Sequence, residues 1–302
     1  EDFLQHHPNS PACDMALLTL GELQLRQHLT LSTGTATNTA ATNLLQLAQT
    51  NFAALPERFP RSPLVGKAHL NRGWCLWLAN NVAESAAAFA AAVGTLPPSF
   101  DQAVARLKLA DTQHQLGQFN AALTNYETVI AQGAAQPQIK SNLCEAALYQ
   151  VVLTSGELTN LPAADAAVKR LLEWFPESYV TESGLMIEGQ VLARHGDPQA
   201  ARRVFEDFLT RFPNSAREPQ VRLAIGRTYE LQREWPGAVQ AYQSWLAKYG
   251  NDPERPRAEY ALAYASYQAQ NETNALEQFS RFLTQFPTNP LAPAMAILRR
   301  GR

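Results

Sequence analysis

One internal period constrains this chain more than any other feature of it. The segments beginning LLEWFPES at Leu171, FLTRFPNS at Phe208 and WLAKYGND at Trp245 align without a gap, and a fourth copy opens with FLTQFPTN at Phe282. The period is 37 residues, which makes Pro176, Pro213, Gly250 and Pro287 equivalent. Gly189, Gly226 and Ala263 are likewise equivalent, as are Ala201, Ala238 and Ala275, and Phe205, Tyr242 and Phe279. Similarity at a fixed period of this length marks a stack of small supersecondary units rather than one globular core.

The same register extends backward. Pro60 and Pro97 lie one period apart, Gly73 and Ala110 follow each by thirteen, and Ala48 and Phe52 fill the alanine and aromatic positions. Pro8 is followed thirteen residues later by Gly21. Two intervals are long, one by 15 residues and one by five, and the surplus is placed at Leu29–Asn43 and Thr154–Leu161. Both segments are rich in Thr, Ser, Asn and Gly, so both are expected to be loop insertions (29–43 and 154–161). Residues 1–302 then read as a single array of about seven repeat intervals, cut from a longer one. Its half-repeats would leave Phe3, Leu4, Leu291, Met295 and Leu298 without partners, which predicts uncapped ends that fray or drive self-association.

Within a repeat, apolar residues three and four apart on either side of a turn describe two amphipathic helices, A and B. The register predicts helix A over 11–28, 63–79, 101–116, 137–153, 179–194, 217–232 and 255–270. Helix B is predicted over 43–58, 82–95, 119–132, 162–174, 198–211, 235–248 and 272–285. A glycine in mid-helix costs about 1 kcal/mol relative to alanine, so close packing must offset it. The expected contact is between that small residue of helix A and the alanine of helix B, with the aromatic beside the crossing and proline ending helix B.

Composition removes several functions. The 25 basic and 27 acidic residues leave a net charge of −2, without the clustered positive charge that nucleic acid or an acidic membrane requires. The longest alanine-rich run, Ser85–Leu96, is too short to span a bilayer, so no transmembrane segment is expected. Cys13, Cys75 and Cys144 are far apart and sit in apolar helical stretches, where each reads as a small buried hydrophobe. The six histidines show no ligand spacing beyond the His6-His7 pair, and no nucleophile, phosphate-loop or zinc motif is present. The expectation is therefore no catalytic residues, no metal and no cofactor.

Gly226-x-x-Tyr229, Ala238-x-x-x-Tyr242 and the closing position at Gly250 resemble the tetratricopeptide repeat, whose pattern is L-G-x-x-Y, A-x-x-x-F and P. The FP-x-S turn endings resemble those of tetratricopeptide proteins of the Gram-negative envelope, such as the Tol-Pal-associated coordinator and the lipoprotein of the β-barrel assembly machine. The resemblance implies an all-α, right-handed α-solenoid of helix-turn-helix repeats. It also implies a non-enzymatic scaffold that binds a protein or peptide segment in a concave groove lined by helix A, with a place in periplasmic or outer-membrane assembly.

The helix A positions off the packing face are Lys67, Leu70, Trp74, Trp77, Asp111, His114, Arg194, Arg227, Glu230, Arg257, Tyr260, Tyr264 and Tyr267. Of these, Arg227, Glu230, Arg257, Tyr260, Tyr264 and Tyr267, together with Trp74 and Trp77, are the expected peptide-binding residues. Tyr260, Tyr264 and Tyr267 share one helix face, and that stripe is either binding surface or core. Two other readings remain: a docking or regulatory segment of a larger enzyme, and a purely structural spacer.

Overall fold

A computed structural model describes Leu4, His6, Ser10, residues 12–32 and residues 39–300. Its elements are helical: α1 Cys13–Leu31, α2 Thr39–Arg58, α3 Val65–Leu78, α4 Val82–Thr95, α5 Phe100–Gln115 and α6 Phe119–Ala135. The next, α7, runs through Pro137–Ile139, a π-turn at Lys140–Cys144 and Glu145–Glu157. Then come α8 Leu161–Trp174, α9 Tyr179–Arg194, α10 Pro198–Arg211, α11 Glu218–Leu231, α12 Trp235–Lys248, α13 Arg255–Gln268, α14 Glu272–Gln285 and α15 Ala292–Arg300. Among the described residues there is no strand, and none of their helices is long and apolar enough to cross a membrane. The fold is all-α and built of helix-turn-helix repeats. It divides into two compact units, Glu1–Leu158 and Thr159–Arg302.

Each A-to-B turn from α3 onward has the same three residues' length and the same backbone device. Its middle residue is Asn80, Gly117, Thr159, Gly196, Arg233 or Gln270, and each has positive φ, between 56° and 87°. At the first turn, Asn80 N–H donates to the Trp77 carbonyl and Asn81 N–H to that of Leu76, which satisfies the last carbonyls of α3. Glycine takes this conformation without strain at two of the six turns. The other four accept a penalty of roughly 1 kcal/mol to keep the geometry.

The small residue of helix A makes room for an aromatic ring, not for the helix B alanine as the sequence suggested. A Cβ on Gly21 would fall within 3.0 Å of the Phe52 ring, and one on Gly73, Gly189 or Gly226 would meet Phe89, Phe205 or Tyr242 in the same way. Those four rings are buried. Truncating such a ring costs about 3–5 kcal/mol, enough to offset the glycine's propensity cost. Ser85, which replaces the alanine of helix B, is fully buried and donates 2.9 Å to the Gly73 carbonyl. The hydroxyl is accommodated because it has that acceptor.

Both insertions need correcting. From its small residue, helix A normally continues five residues, yet α7 continues ten beyond Ala147 before an ordinary three-residue turn. The five surplus residues placed at 154–161 are therefore 1.4 turns of extra helix. Thr154, Ser155 and Gly156 are buried in it, and Thr154 Oγ1 lies 3.0 Å from His114 Nδ1. At 29–43, residues 29–31 end an α1 that is also five longer, and 39–43 begin an α2 that is six longer than its counterparts; only four of the fifteen lengthen the connection. His28 Nδ1, 2.8 Å from the Ala41 carbonyl, ties the two extensions together. Residues 33–38 lie outside the described residues.

The half-repeats also pack. Met295 is fully buried, and Leu291 and Leu298 lie against the cluster of Phe279 and Phe282. Leu4 packs on the cluster around Phe52, and the large exposed apolar side chain of α15 is Ile297, 70% accessible. Phe3 is outside the described residues. All three cysteines are buried, and burial pushes the Cys75 thiol up to about 12.

Candidate functional site

In the second unit, α9, α11 and α13 are the A helices of three successive repeats. Their off-packing faces line a cavity of about 1030 Å³. Arg194 comes from α9, Arg227 and Glu230 from α11, and Arg257, Tyr260 and Tyr264 from α13. The rings of Phe205 and Tyr242, set in place by the glycines opposite them, reach the cavity from the B helices.

Tyr242 is 3% exposed, and its phenol lies beside the Glu230 carboxylate. Burial raises the pKa of Glu230, against the pull of the Tyr242 phenol and of Arg227 and Arg257. Burial, with Glu230 next to it, raises the phenol of Tyr242. Tyr260 is raised as well, by burial and then by Tyr264 and Glu230. Arg257 pairs with Glu254 at 3.4 Å across exposed surface, a contact worth at most about 1 kcal/mol. Arg227 is exposed. The result is a half-open wall of phenol faces beside guanidinium groups, with one carboxylate recessed in its floor.

Of the expected binding residues, Arg227, Glu230, Arg257, Tyr260 and Tyr264 come together here. Tyr267 does not line the cavity: its ring centroid lies 6.2 Å from that of Phe279, so the third tyrosine of the stripe belongs to packing. Tyr264 stands edge-on to Trp235 at 6.1 Å and stays partly accessible. Glu254, Gln220 and Leu291 also line the cavity and were not singled out from the sequence. The i, i+3 spacing of Glu254 to Arg257 was the available signal.

Trp74 and Trp77 lie in the first unit, in a different setting. Lys108 Nζ sits 5.2 Å from the Trp74 ring centroid and 6.0 Å from that of Trp77, and it is 2.7 Å from Asp111 Oδ2. Tyr126 donates to Asp111 Oδ1 at 2.9 Å. Leu70 is buried against Phe89 and belongs to the core, while Lys67 pairs with Asp101 at 2.7 Å. Among the described residues no group of His, Cys, Asp and Glu is arranged to hold a metal ion.

The family model described as tetratricopeptide repeat matches residues 40–100, 188–253 and 245–290. A tetratricopeptide repeat protein from Parabacteroides merdae is 14% identical, with 93% of this chain and 99% of that one covered and a TM-score of 0.50. The C-terminal part of a TPR repeat-containing protein from Cytophaga hutchinsonii is 14% identical, with 92% and 98% covered and a TM-score of 0.60. At such identities the likeness is one of fold. No curated protein matches the chain.

Proposed function

The chain belongs to the tetratricopeptide repeat family, and from that premise we propose that it is a non-enzymatic scaffold holding a segment of another protein in the α9–α11–α13 cavity. What supports this reading is the make-up of the cavity wall. Tyr260 and Tyr264 offer apolar faces with hydroxyls, suited to a segment whose backbone needs partners. Arg194, Arg227 and Arg257 offer charge-assisted donors for carboxylates, and Glu230 offers an acceptor between them.

A narrower part of the proposal places this work in the Gram-negative envelope, on the strength of the FP-x-S turn endings. Burial of all three cysteines suits that compartment, because thiols without access to solvent are poor substrates for oxidation.

The test is capture of partners from the source cell by the intact protein, by Tyr264→Ala and by a variant with Arg227→Glu and Arg257→Glu. Mass spectrometry should find the same protein depleted in both variants while the melting curves stay near that of the original. Retention of the full partner set by both variants would remove the cavity from the function. Recovery of the protein from the cytosolic fraction would end the envelope assignment.

A further inference from the structure

One carboxylate in the second unit breaks the pattern of its own repeat position. In the second unit the residue just before the small residue of helix A is Ile225 or Leu262 in the other two complete repeats, each at least half-buried, whereas the first unit varies there and includes Arg72 and Ala146. In α9 the same position carries Glu188, which is 6% exposed. Its surroundings are Asp165 and Lys169 of α8 and Asp207 of α10, and it has no hydrogen-bond donor among the described residues. The cation beside it, Lys169, is engaged elsewhere, with its Nζ 2.7 Å from Asp165 Oδ2, and Asp207 Oδ2 is likewise taken by Arg211 Nε at 2.7 Å. The deepest acid of the three is thus the one left unserved.

Packing does not call for a glutamate here, because isoleucine and leucine fill the same position in the two repeats that follow. A carboxyl this far shielded, with no protein donor among the described residues, is poorly solvated in its charged form. Asp165 and Asp207 flank it, so the complement of this surface is a cation, and among the described residues no group of acids is arranged to hold a metal ion. A lysine or arginine matches in shape as well as charge. Its methylene stem can lie along apolar helix surface while its head reaches a recessed acceptor.

We propose that Glu188 is the acceptor for a basic side chain of a partner protein lying across α8, α9 and α10. This surface is independent of the scaffold cavity, which Glu188 does not line and whose wall carries the opposite charge. Burial first, and then Asp165 and Asp207, push the Glu188 carboxyl up to about 7, against the pull of Lys169. An arriving cation reverses that shift, so binding near neutral pH is accompanied by proton release.

The probe is a short acetylated and amidated lysine peptide, with a glutamine peptide of equal length as control. Each is titrated into the intact protein near pH 8 and near pH 5.5 while the Glu188 side-chain carboxyl carbon is followed by NMR. The lysine peptide should move that resonance near pH 8. Its affinity should fall at least about tenfold near pH 5.5 and in both Glu188→Gln and Glu188→Leu, with no response to the glutamine peptide. Glu188→Leu installs the residue that Leu262 supplies two repeats on and should melt no lower than the original. Equal affinity for the variants, a response confined to other carboxylates, or loss of folding in both variants would each overturn the assignment.

Discussion

Tyr126 in the first unit and Tyr242 in the second fill the same repeat position, where four other repeats carry phenylalanine and one carries Val168. Each phenol is buried and each must find an acceptor on helix A. Tyr126 donates to Asp111, the residue next to the small position, whereas Tyr242 lies beside Glu230, one turn further along. The consequences diverge from there. Asp111 is also held by Lys108, and Lys108 lies over Trp74 and Trp77, so the first network closes on itself. Glu230 faces Arg227 and Arg257 across a cavity, and neither guanidinium is locked against it. A single hydroxyl added to a repeat ring thus becomes structural glue in one unit and the floor of an open site in the other.

The units should differ most in their response to pH. Glu188 is raised from an ordinary 4.5 to about 7 and belongs to the second unit alone. Between those values the folded state keeps a proton that the unfolded chain has released. Stability of the second unit should therefore fall by roughly 3 kcal/mol as pH rises from about 4.5 to about 7. Glu230, shifted the same way, adds to the fall. Native-state hydrogen exchange across that range should show the loss in α9–α11 and little in α3–α5, and Glu188→Gln should abolish most of it. A uniform response in both units would break the contrast.

Next in size is removal of the two acceptors. Asp111→Ala strands a buried phenol and a partly buried ammonium together, at a cost of about 2 kcal/mol. Glu230→Ala strands a phenol but relieves a carboxylate that is already held against its solvation, so the loss should stay under about 1 kcal/mol. Denaturant unfolding of the two variants decides the point, and equal losses would mean that both networks are of one kind.

The smallest effect belongs to Tyr264→Ala. Its half-exposed ring touches Trp235 only by an edge, so less than about 1 kcal/mol should be lost. A drop in the range of a buried aromatic, about 3–5 kcal/mol, would return Tyr264 to the core beside Tyr267.

The register of glycine, alanine and aromatic positions was enough to place the helices, because one ring packed against one missing Cβ recurs in four repeats. Local chemistry misled at the insertions. Thr154, Ser155 and Gly156 look like loop formers, yet burial turns them into helix, with the Thr154 hydroxyl beside His114. Tyr260, Tyr264 and Tyr267 could not be separated by spacing alone, since the contact that buries Tyr267 comes from Phe279 on the next helix. Glu188 was visible in principle. Only comparison with Ile225 and Leu262 one and two periods later marks it as out of place, and a carboxylate on a helix otherwise reads as solvated surface.

The three cysteines have a consequence for how this molecule can be watched. Cys13, Cys75 and Cys144 all fall within Glu1–Leu158, fully shielded, and the second unit contains no sulfhydryl at all. An alkylating reagent can reach them only when the surrounding helices come apart, so the rate of labelling clocks spontaneous opening of the first unit with no contribution from the second. Residue by residue, Cys13 would time the start of α1, Cys75 the α3 crossing and Cys144 the π-turn of α7. The chain carries its own unfolding stopwatch for one half and none for the other.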